Sequence, residues 1–173
     1  MSTTDARAYW LSRALLKWPR VDNTGVFKLY HSATGQIVAA KDEPVAGADG
    51  AVTLAVHAGA VPAAAAERFK YVAPGVVLQV PDAGLGQLKK LLASQLVLVQ
   101  EDLQGRVQNA TTAQVAGVLD DLYAAAADES ALGVRVAGGA AQFRLWAPTA
   151  QRVGLCLYET GDEDSAARPW LGA

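Results

Sequence analysis

The side chains that could do chemistry are few and widely spaced in this chain of 173 residues. His31 and His57 fall on separate predicted strands, where a shared metal ion is one interpretation. No cysteine or carboxylate stands at ligand spacing beside them, so ordinary strand residues are favoured. Asp120 and Asp121 suggest paired acids, but adjacent residues on a helix diverge by about 100°. They therefore indicate a solvated helix face rather than a catalytic pair.

Three further patterns carry little chemical information. The acidic run 162–164 could gather a hard cation such as calcium, although a charged turn is the commoner origin of such a run. Gly84 and Gly86 open a helix without the third glycine or the βαβ unit of a phosphate loop. The single cysteine, Cys156, lies in an apolar run that predicts a buried thiol. We predict no catalytic residue, no metal site and no cofactor.

Aromatic side chains offer a different chemistry, the binding of sugars. Sugar rings stack their C–H faces on indole and phenol rings, and their hydroxyl groups meet polar neighbours. Large aromatic residues are mostly buried, so packing is the competing interpretation for each of them. Trp10 and Tyr30 are the predicted carbohydrate contacts. Trp18, and Trp146 with the nearby Pro148, are predicted to pack between domains.

Short strands must position these side chains. Val26 to His31, the turn SATG and Gln36 to Ala40 have the form of a hairpin. The alternation over 52–56 and the apolar run 76–80 predict two more strands. The segment 96–99 is apolar on both faces, which predicts a central strand covered on each side, with 106–110 returning as its hairpin partner. The pattern is that of a mainly β fold, a β-sandwich.

Two short helices and a linker complete the predicted organisation. Leucines between 85 and 92 fall on one helical face, and the spacing i, i+3, i+4, i+7, i+8 from Val115 to Tyr123 predicts a second helix. The following AAAADESALG has lost this period. We therefore predict a first domain over 1–127, a linker over 128–133 and a second domain over 134–173, which opens with a hairpin around Gly138 and Gly139.

Composition and charge exclude several classes of protein. The net charge of −2 is spread along the chain, so no positive stripe favours nucleic acid. No apolar run approaches the ~18 residues that a membrane span requires. The N-terminus has no continuous apolar stretch and does not read as a signal peptide, which leaves a cytoplasmic and a secreted location equally open.

Five segments resemble known sequences. AYWLSRALLKWP, FKLYHSATG, SQLVLVQEDLQGRV and VAGVLDDLYAAA resemble the N-terminal region of pullulanase-type α-1,6-glucosidases, a group within glycoside hydrolase family 13 that includes the limit dextrinases. FRLWAPTAQRVGLCLY resembles the start of a family 48 carbohydrate-binding module. The segments follow the order of the family from about Ala8 to Tyr158, whereas the alanine-rich stretch near 60–67 matches no family signature.

The resemblance implies an immunoglobulin-like β-sandwich with two short helices, followed by an incomplete second β-sandwich, the truncated start of the carbohydrate-binding module. It implies a parent enzyme that hydrolyses α-1,6-glucosidic links in pullulan, amylopectin or limit dextrins, with calcium as an optional ion in that parent. Its catalytic (β/α)₈ barrel would need about 250 residues. We therefore expect a non-catalytic N-terminal fragment of a starch- or glycogen-debranching enzyme.

The expected partners follow from the same resemblance. They are an α-glucan, met through the parent enzyme, and the missing C-terminal catalytic barrel. An unfinished sandwich would also leave strand edges unpaired, which predicts self-association. The alternative is a stand-alone carbohydrate-binding or protein-interaction module that has no catalytic partner.

Overall fold

The computed structural model describes residues 5–128, 131–158 and 160, together with the backbone of residues 168–170. Strands dominate, as predicted, and the helices are short. The strands are β1 (Ala8–Trp10), β2 (Leu15–Pro19), β3 (Val26–Ser32), β4 (Gly50–Val56), β5 (Gly75–Gln79), β6 (Gln95–Glu101), β7 (Val107–Thr111), β8 (Ala113–Gln114), β9 (Gly133–Ala137), β10 (Ala140–Arg144), β11 (Leu155–Leu157) and β12 (Arg168–Trp170). The helices are α1 (Ala63–Arg68), α2 (Asp82–Leu85), α3 (Leu88–Leu92) and α4 (Ala116–Tyr123), which a 3₁₀ helix continues over Ala124–Asp128.

The first eight strands form one sheet that folds over at β4. Their order is β7-β6-β3-β4-β5-β2-β1-β8. Residues 50–54 of β4 pair with β3, whereas Ala55 and Val56 pair with β5. In a flat sheet β2 and β3 would lie about 14 Å apart, three strand spacings. Instead Trp18 of β2 and Phe27 of β3 meet edge to face with ring centroids 6.4 Å apart. The sheet is therefore a two-layered sandwich with β4 as its corner.

The two ends of the strand order are joined by a single residue. β7 and β8 stand at opposite ends of the sheet, and only Thr112 separates them in the chain. The Ala8 amide donates to the Thr112 carbonyl over 3.4 Å, and the Thr112 amide donates to the Asp5 carbonyl over 2.9 Å. The N-terminal strand thus closes the sandwich along the side opposite β4.

The edge of β7 is covered by other parts of the chain. The Asp42 amide donates to the Val107 carbonyl over 2.9 Å, and the Val107 amide donates to the Glu43 carbonyl over 3.0 Å. The guanidinium of Arg7 donates to the Ala110 carbonyl over 2.6 Å. These contacts satisfy backbone groups that would otherwise offer a template to another strand.

Two hydrophobic cores share strand β6. Leu98 points between the layers into the main core, which includes Trp10, Trp18 and Phe27. Val97 and Val99 point the other way, into a second core beneath the segment 36–48. The prediction of a central strand covered on both faces is confirmed for β6, and its hairpin partner is β7.

The predicted hairpin between 26–31 and 36–40 is wrong. The partners of β3 are β4 and β6 on its two sides, so its ladder is already filled. Ile37 and Ala39 are buried at 4% and 2% exposure because they pack on the outer face of the sheet. Alternating burial in 36–40 therefore arises from covering a sheet and not from pairing within it.

The helices follow the predicted pattern in part. The segment beginning at Asp82 forms α2 and α3, which break at Gly86 and Gln87, while the second predicted helix is α4. The alanine run that predicted the linker continues α4 as a 3₁₀ helix to Asp128. Five elements are not predicted by the sequence patterns, because they are short or rich in alanine: β1, β2, β8, β12 and α1. The boundaries of the two domains stay a prediction.

The second part of the chain forms two separate hairpins. β9 pairs with β10 around Gly138 and Gly139, as predicted, and β11 pairs with β12. Val134, Val136 and Phe143 are all at least 47% exposed. Cys156 in β11 is exposed too, contrary to the predicted buried thiol, because no second layer covers it within the described part of the chain.

We predict that Gly117→Ala destabilises the fold although alanine favours helices. A Cβ at Gly117 would lie 2.1 Å from the Trp10 carbonyl oxygen, because α4 packs directly on the backbone of β1. Separating two backbone elements should lower the free energy of unfolding by roughly 2 kcal/mol, which urea denaturation would measure.

Gly86→Ala is the matched control. Gly86 is the C-cap of α2 and has helical backbone angles, with φ of −63° and ψ of −22°, and no atom lies within 4 Å of its Cβ position. Alanine there should be neutral or stabilising by about 0.5 kcal/mol. Equal stability of the Gly117→Ala variant and the wild type would show that α4 does not seat on β1 in this way.

Candidate functional site

Two of the predicted aromatic sites belong to the main core. Trp10 is 1% exposed, so the prediction that it contacts carbohydrate is corrected: its indole lies between the two layers. Trp18 is fully buried and packs on Phe27, so it serves the core of the first domain and not an interface between domains. The period-2 alternation of Ala8 with Trp10, and of Leu16 with Trp18, was the signal for this burial.

Tyr30 and its neighbours form a polar network on the outer face of the sheet. The Tyr30 hydroxyl donates to Glu101 Oε1 over 2.5 Å, and Lys28 Nζ lies 2.7 Å from Glu101 Oε2. Glu101 is 1% exposed, Tyr30 is half-buried, and 30% of the Lys28 side chain is exposed. The hydrogen bond to Glu101 raises the pKa of Lys28 against the opposing effect of partial burial. The pKa of Tyr30 is raised mainly by the burial of its hydroxyl group and, to a smaller extent, by the hydrogen bond to Glu101.

The position of Glu101 is set by the backbone. It ends β6 at an irregularity in the pairing with β7, and Gly25 approaches it closely. Gly25 has φ of +79°, and a Cβ there would lie 2.2 Å from the Glu101 carbonyl oxygen. Both carboxylate oxygens are held by Lys28 and Tyr30. The network therefore suits a structural role better than proton transfer.

A groove with an aromatic wall lies at the end of α4. Its volume is about 480 Å³, and the residues that line it are Leu119, Asp120, Tyr123, Ala124, Ala126, Ala127, Leu132 and Trp146. The rings of Tyr123 and Trp146 meet edge to face, with centroids 6.2 Å apart and planes at 86°. Trp146 is 47% exposed. The groove thus presents aromatic surface to solvent.

Charged groups surround this aromatic pair. Lys89 Nζ lies 5.1 Å from the centroid of the Tyr123 ring. Asp120 forms an ion pair with Arg68, and 60% of the Asp120 side chain is exposed. The neighbouring acid, Asp121, instead pairs with Arg13, whose amide donates to Asp121 Oδ2 over 2.9 Å. The two aspartates diverge on the helix, as their adjacency predicts.

The remaining predicted site residues lie apart from one another. Pro148 is half-buried in the turn that the Ala150 amide closes on the Ala147 carbonyl. His57 Nδ1 is 3.1 Å from Gln79 Oε1, while His31 lies within β3. No three histidine, cysteine or acidic side chains of the described residues come together to hold a metal ion. The acidic run 162–164 lies outside those residues. None of the helices that the structure describes has the length and apolarity to cross a bilayer.

Comparison with known proteins identifies the family. The pullulanase N2 domain matches residues 5–121. A pullulanase of Klebsiella pneumoniae is 30% identical over 96% of this chain, and pullulanase 1 of Arabidopsis thaliana chloroplasts is 30% identical over 89%. Those alignments cover only 16% and 15% of the two relatives.

Solved structures of pullulanases resemble this chain over nearly all of its length. Apo pullulanase from Klebsiella pneumoniae aligns with 96% of this chain at a TM-score of 0.73 and 32% identity, using 17% of that chain. The same enzyme complexed with maltotriose aligns with 96% of this chain at a TM-score of 0.75 and 32% identity, using 15% of that chain. The fold is thus that of the β-rich N-terminal region of pullulanases. The chain belongs to the pullulanase N2 domain family.

We predict that the free energy of unfolding falls as the pH rises above 10. The ordinary pKa values are 10.5 for Lys28 and 10.0 for Tyr30, and folding raises both. The folded state therefore holds these protons more tightly. Their contribution is complete below the unfolded pKa values and is lost as the pH passes through the folded ones. Urea denaturation between neutral and alkaline pH would measure the loss.

Lys28→Met should flatten this alkaline decline and also weaken the fold at neutral pH. It leaves the buried carboxylate of Glu101 without its cation, which should lower the free energy of unfolding by about 2 kcal/mol. The loss is smaller than for a fully buried ion pair because Lys28 is partly exposed. Lys41→Met, which changes an exposed lysine on the segment 36–48, serves as the control and should keep the wild-type profile. If stability declines as steeply at alkaline pH in Lys28→Met as in the wild type, Lys28 does not contribute to the decline and the prediction is wrong.

Proposed function

We propose that this chain is the non-catalytic N-terminal region of a debranching enzyme of the pullulanase type. The observation that supports this most strongly is the extent of the match. Nearly all of this chain aligns with the Klebsiella pullulanase, yet the alignment uses only 16% of that relative. The proposed reaction of the whole protein is hydrolysis of α-1,6-glucosidic links in pullulan, amylopectin or limit dextrins.

The acidic side chains support a non-catalytic role for this region. A retaining glycosidase needs two carboxyl groups about 5–5.5 Å apart, one of them free to attack the sugar. Both oxygens of Glu101 are already bound, and the carboxylates of Asp120 and Asp121 pair with separate arginines. None of these three acids is arranged for the reaction.

The proposed role is that of a scaffold that also touches glucan. The first domain is a closed sandwich in which the β7 edge is covered, and Trp146 packs against the end of its last helix. Trp146 and Pro148 are therefore the proposed contacts between the first domain and the second. A solved relative holds maltotriose, which supports an α-glucan as the ligand class. Tyr30, whose ring is half-buried, stays a proposed contact.

A domain exchange would test the proposal. The segment of the Klebsiella pullulanase that aligns with this chain would be deleted in one variant and replaced by this chain in another. We expect the deletion to lose pullulan hydrolysis, and the exchange to restore much of it, because the replacement supplies the same fold. The isolated chain should release no reducing sugar from pullulan.

Two outcomes would contradict the proposal. One is release of maltotriose from pullulan by the purified 173-residue chain, which would make it an enzyme in its own right. The other is an exchange variant that is no more active than the deletion. That second result would favour a stand-alone binding module.

We also propose that the isolated chain associates with itself through the β9–β10 hairpin. Val134 and Val136 lie opposite Phe143 and Ala141, so one face of the hairpin is apolar, and all four residues are exposed. In the described part of the chain, no third strand pairs with either β9 or β10. Exposed edges and apolar faces of this kind favour pairing between molecules.

Sedimentation velocity would detect this association. We expect Val136→Lys to shift the chain toward monomer, because it places a charge on the apolar face. Gln142→Lys adds the same charge on the opposite face, since Gln142 lies opposite Arg135, and should leave the association intact. A wild-type chain that stays monomeric over the whole concentration range would disprove the proposal.

A further inference from the structure

The groove at the end of α4 has the construction of a ligand site. One part of it is aromatic, where the rings of Tyr123 and Trp146 stand at 86° to each other. Another part is formed by alanines of the 3₁₀ helix, at positions 124, 126 and 127. Larger side chains at these positions would fill the space. The alanine run thus keeps the groove of about 480 Å³ open beside a half-exposed indole.

We propose that this groove binds a short segment of α-glucan, with Trp146 and Tyr123 as stacking platforms and Asp120 as a hydrogen-bond acceptor. The choice of glucan as ligand rests on the proposed function. The site itself rests on the geometry of the groove.

The polar groups at the groove favour a ligand that is neutral and rich in hydroxyl groups. Asp120 is paired with Arg68, so the acid brings little net charge, yet its exposed carboxylate oxygens can still accept hydrogen bonds. A purely apolar ligand would cover this carboxylate without replacing its water, which is costly. A sugar supplies hydroxyl donors for Asp120 and C–H faces for the rings in the same molecule.

Size separates a sugar segment from a protein partner. The volume of about 480 Å³ falls within the range of small-molecule sites, about 300–1,000 Å³. A stable protein interface instead needs about 800 Å² on each partner. The groove is a compact concavity between the end of α4 and Trp146, so it suits a few sugar units better than a protein surface.

The angle between the rings favours an α-linked chain over a β-linked one. A β-1,4-glucan is a flat ribbon, which stacks best on aromatic rings that lie in one plane. An α-1,4-glucan curves from one unit to the next, so successive sugar faces can meet platforms that are inclined to each other. Tyr123 and Trp146 are inclined at 86°. This inclination suits the curved polymer better than the flat one.

Calorimetric titration of the 173-residue chain with maltohexaose would test the site. We expect saturable binding with a Kd on the order of 1 mM, since two aromatic contacts in a groove open to solvent provide limited free energy. Cellohexaose, the β-linked counterpart, should bind at least about tenfold more weakly. Equal binding of the two oligosaccharides would overturn the assignment to α-glucan.

Substitutions in the groove would show whether maltohexaose binds there. Trp146→Ala removes one platform and should weaken maltohexaose binding about tenfold. Ala126→Phe fills the groove while keeping both rings, and should have the same effect. Tyr71→Ala is the control, because Tyr71 is 92% exposed elsewhere on the surface and has its own lysine, with Lys70 Nζ 5.5 Å from the ring centroid. That variant should bind like the wild type.

The glucan site in the groove can be disproved without contradicting the proposed role of the chain as an N-terminal scaffold. Undiminished binding by both Trp146→Ala and Ala126→Phe would overturn the site, even if glucan binds elsewhere on the chain. Absence of saturable binding by the wild type would overturn it as well. In either case, a domain exchange that restores pullulan hydrolysis would leave the role as N-terminal scaffold intact. Circular dichroism of each variant would show that the loss of binding is not a loss of fold.

Discussion

The burial of strand β6 on both faces is the constraint on which the rest of the first domain depends. From Val97 to Glu101 the strand is buried, so it needs one hydrophobic layer on each side. The folded sheet supplies the inner layer, where Leu98 joins the main core. The segment 36–48 supplies the outer layer and covers Val97 and Val99. Removal of the outer layer would expose Val97 and Val99 to water, and removal of the inner layer would expose Leu98.

The same constraint explains the network around Glu101. A carboxylate at the end of a buried strand needs charged or polar partners, because desolvation without them is costly. Val26 pairs directly with Glu101 across the ladder, which places Lys28 as its diagonal neighbour on the same face. Tyr30 lies two residues further along β3, on the same face, and its hydroxyl donates to Glu101 Oε1. The polar network thus follows from strand register rather than from a catalytic design.

Patterns within one segment of the sequence predict the helices and strands well. Contacts between distant segments cannot be predicted from such patterns. β6 and α4 were predictable because their apolar residues repeat with one period inside one element. The segment 36–40 was misread because packing on a sheet and pairing within it produce the same alternation. The prediction for Trp10 is wrong because an indole suits sugar binding by its type, whereas the alternation of Trp10 with Ala8 indicates burial. The groove could not be predicted, since Lys89, Tyr123 and Trp146 come together only through the fold.

The groove also lies where the two parts of the chain meet. A two-stranded hairpin is at best marginally stable on its own, and the apolar face of β9 and β10 is exposed. Among the described contacts, that between Trp146 and Tyr123 ties the segment after β10 to the end of α4. A ligand in the groove would touch residues on both sides of this contact. Its binding free energy would therefore also favour the docked arrangement, because a ligand stabilises whichever state binds it. Gln151 Nε2, which donates to the Ala33 carbonyl over 3.0 Å, provides a second link between the two parts. Glucan contact and part of this attachment would then depend on the same pair of rings.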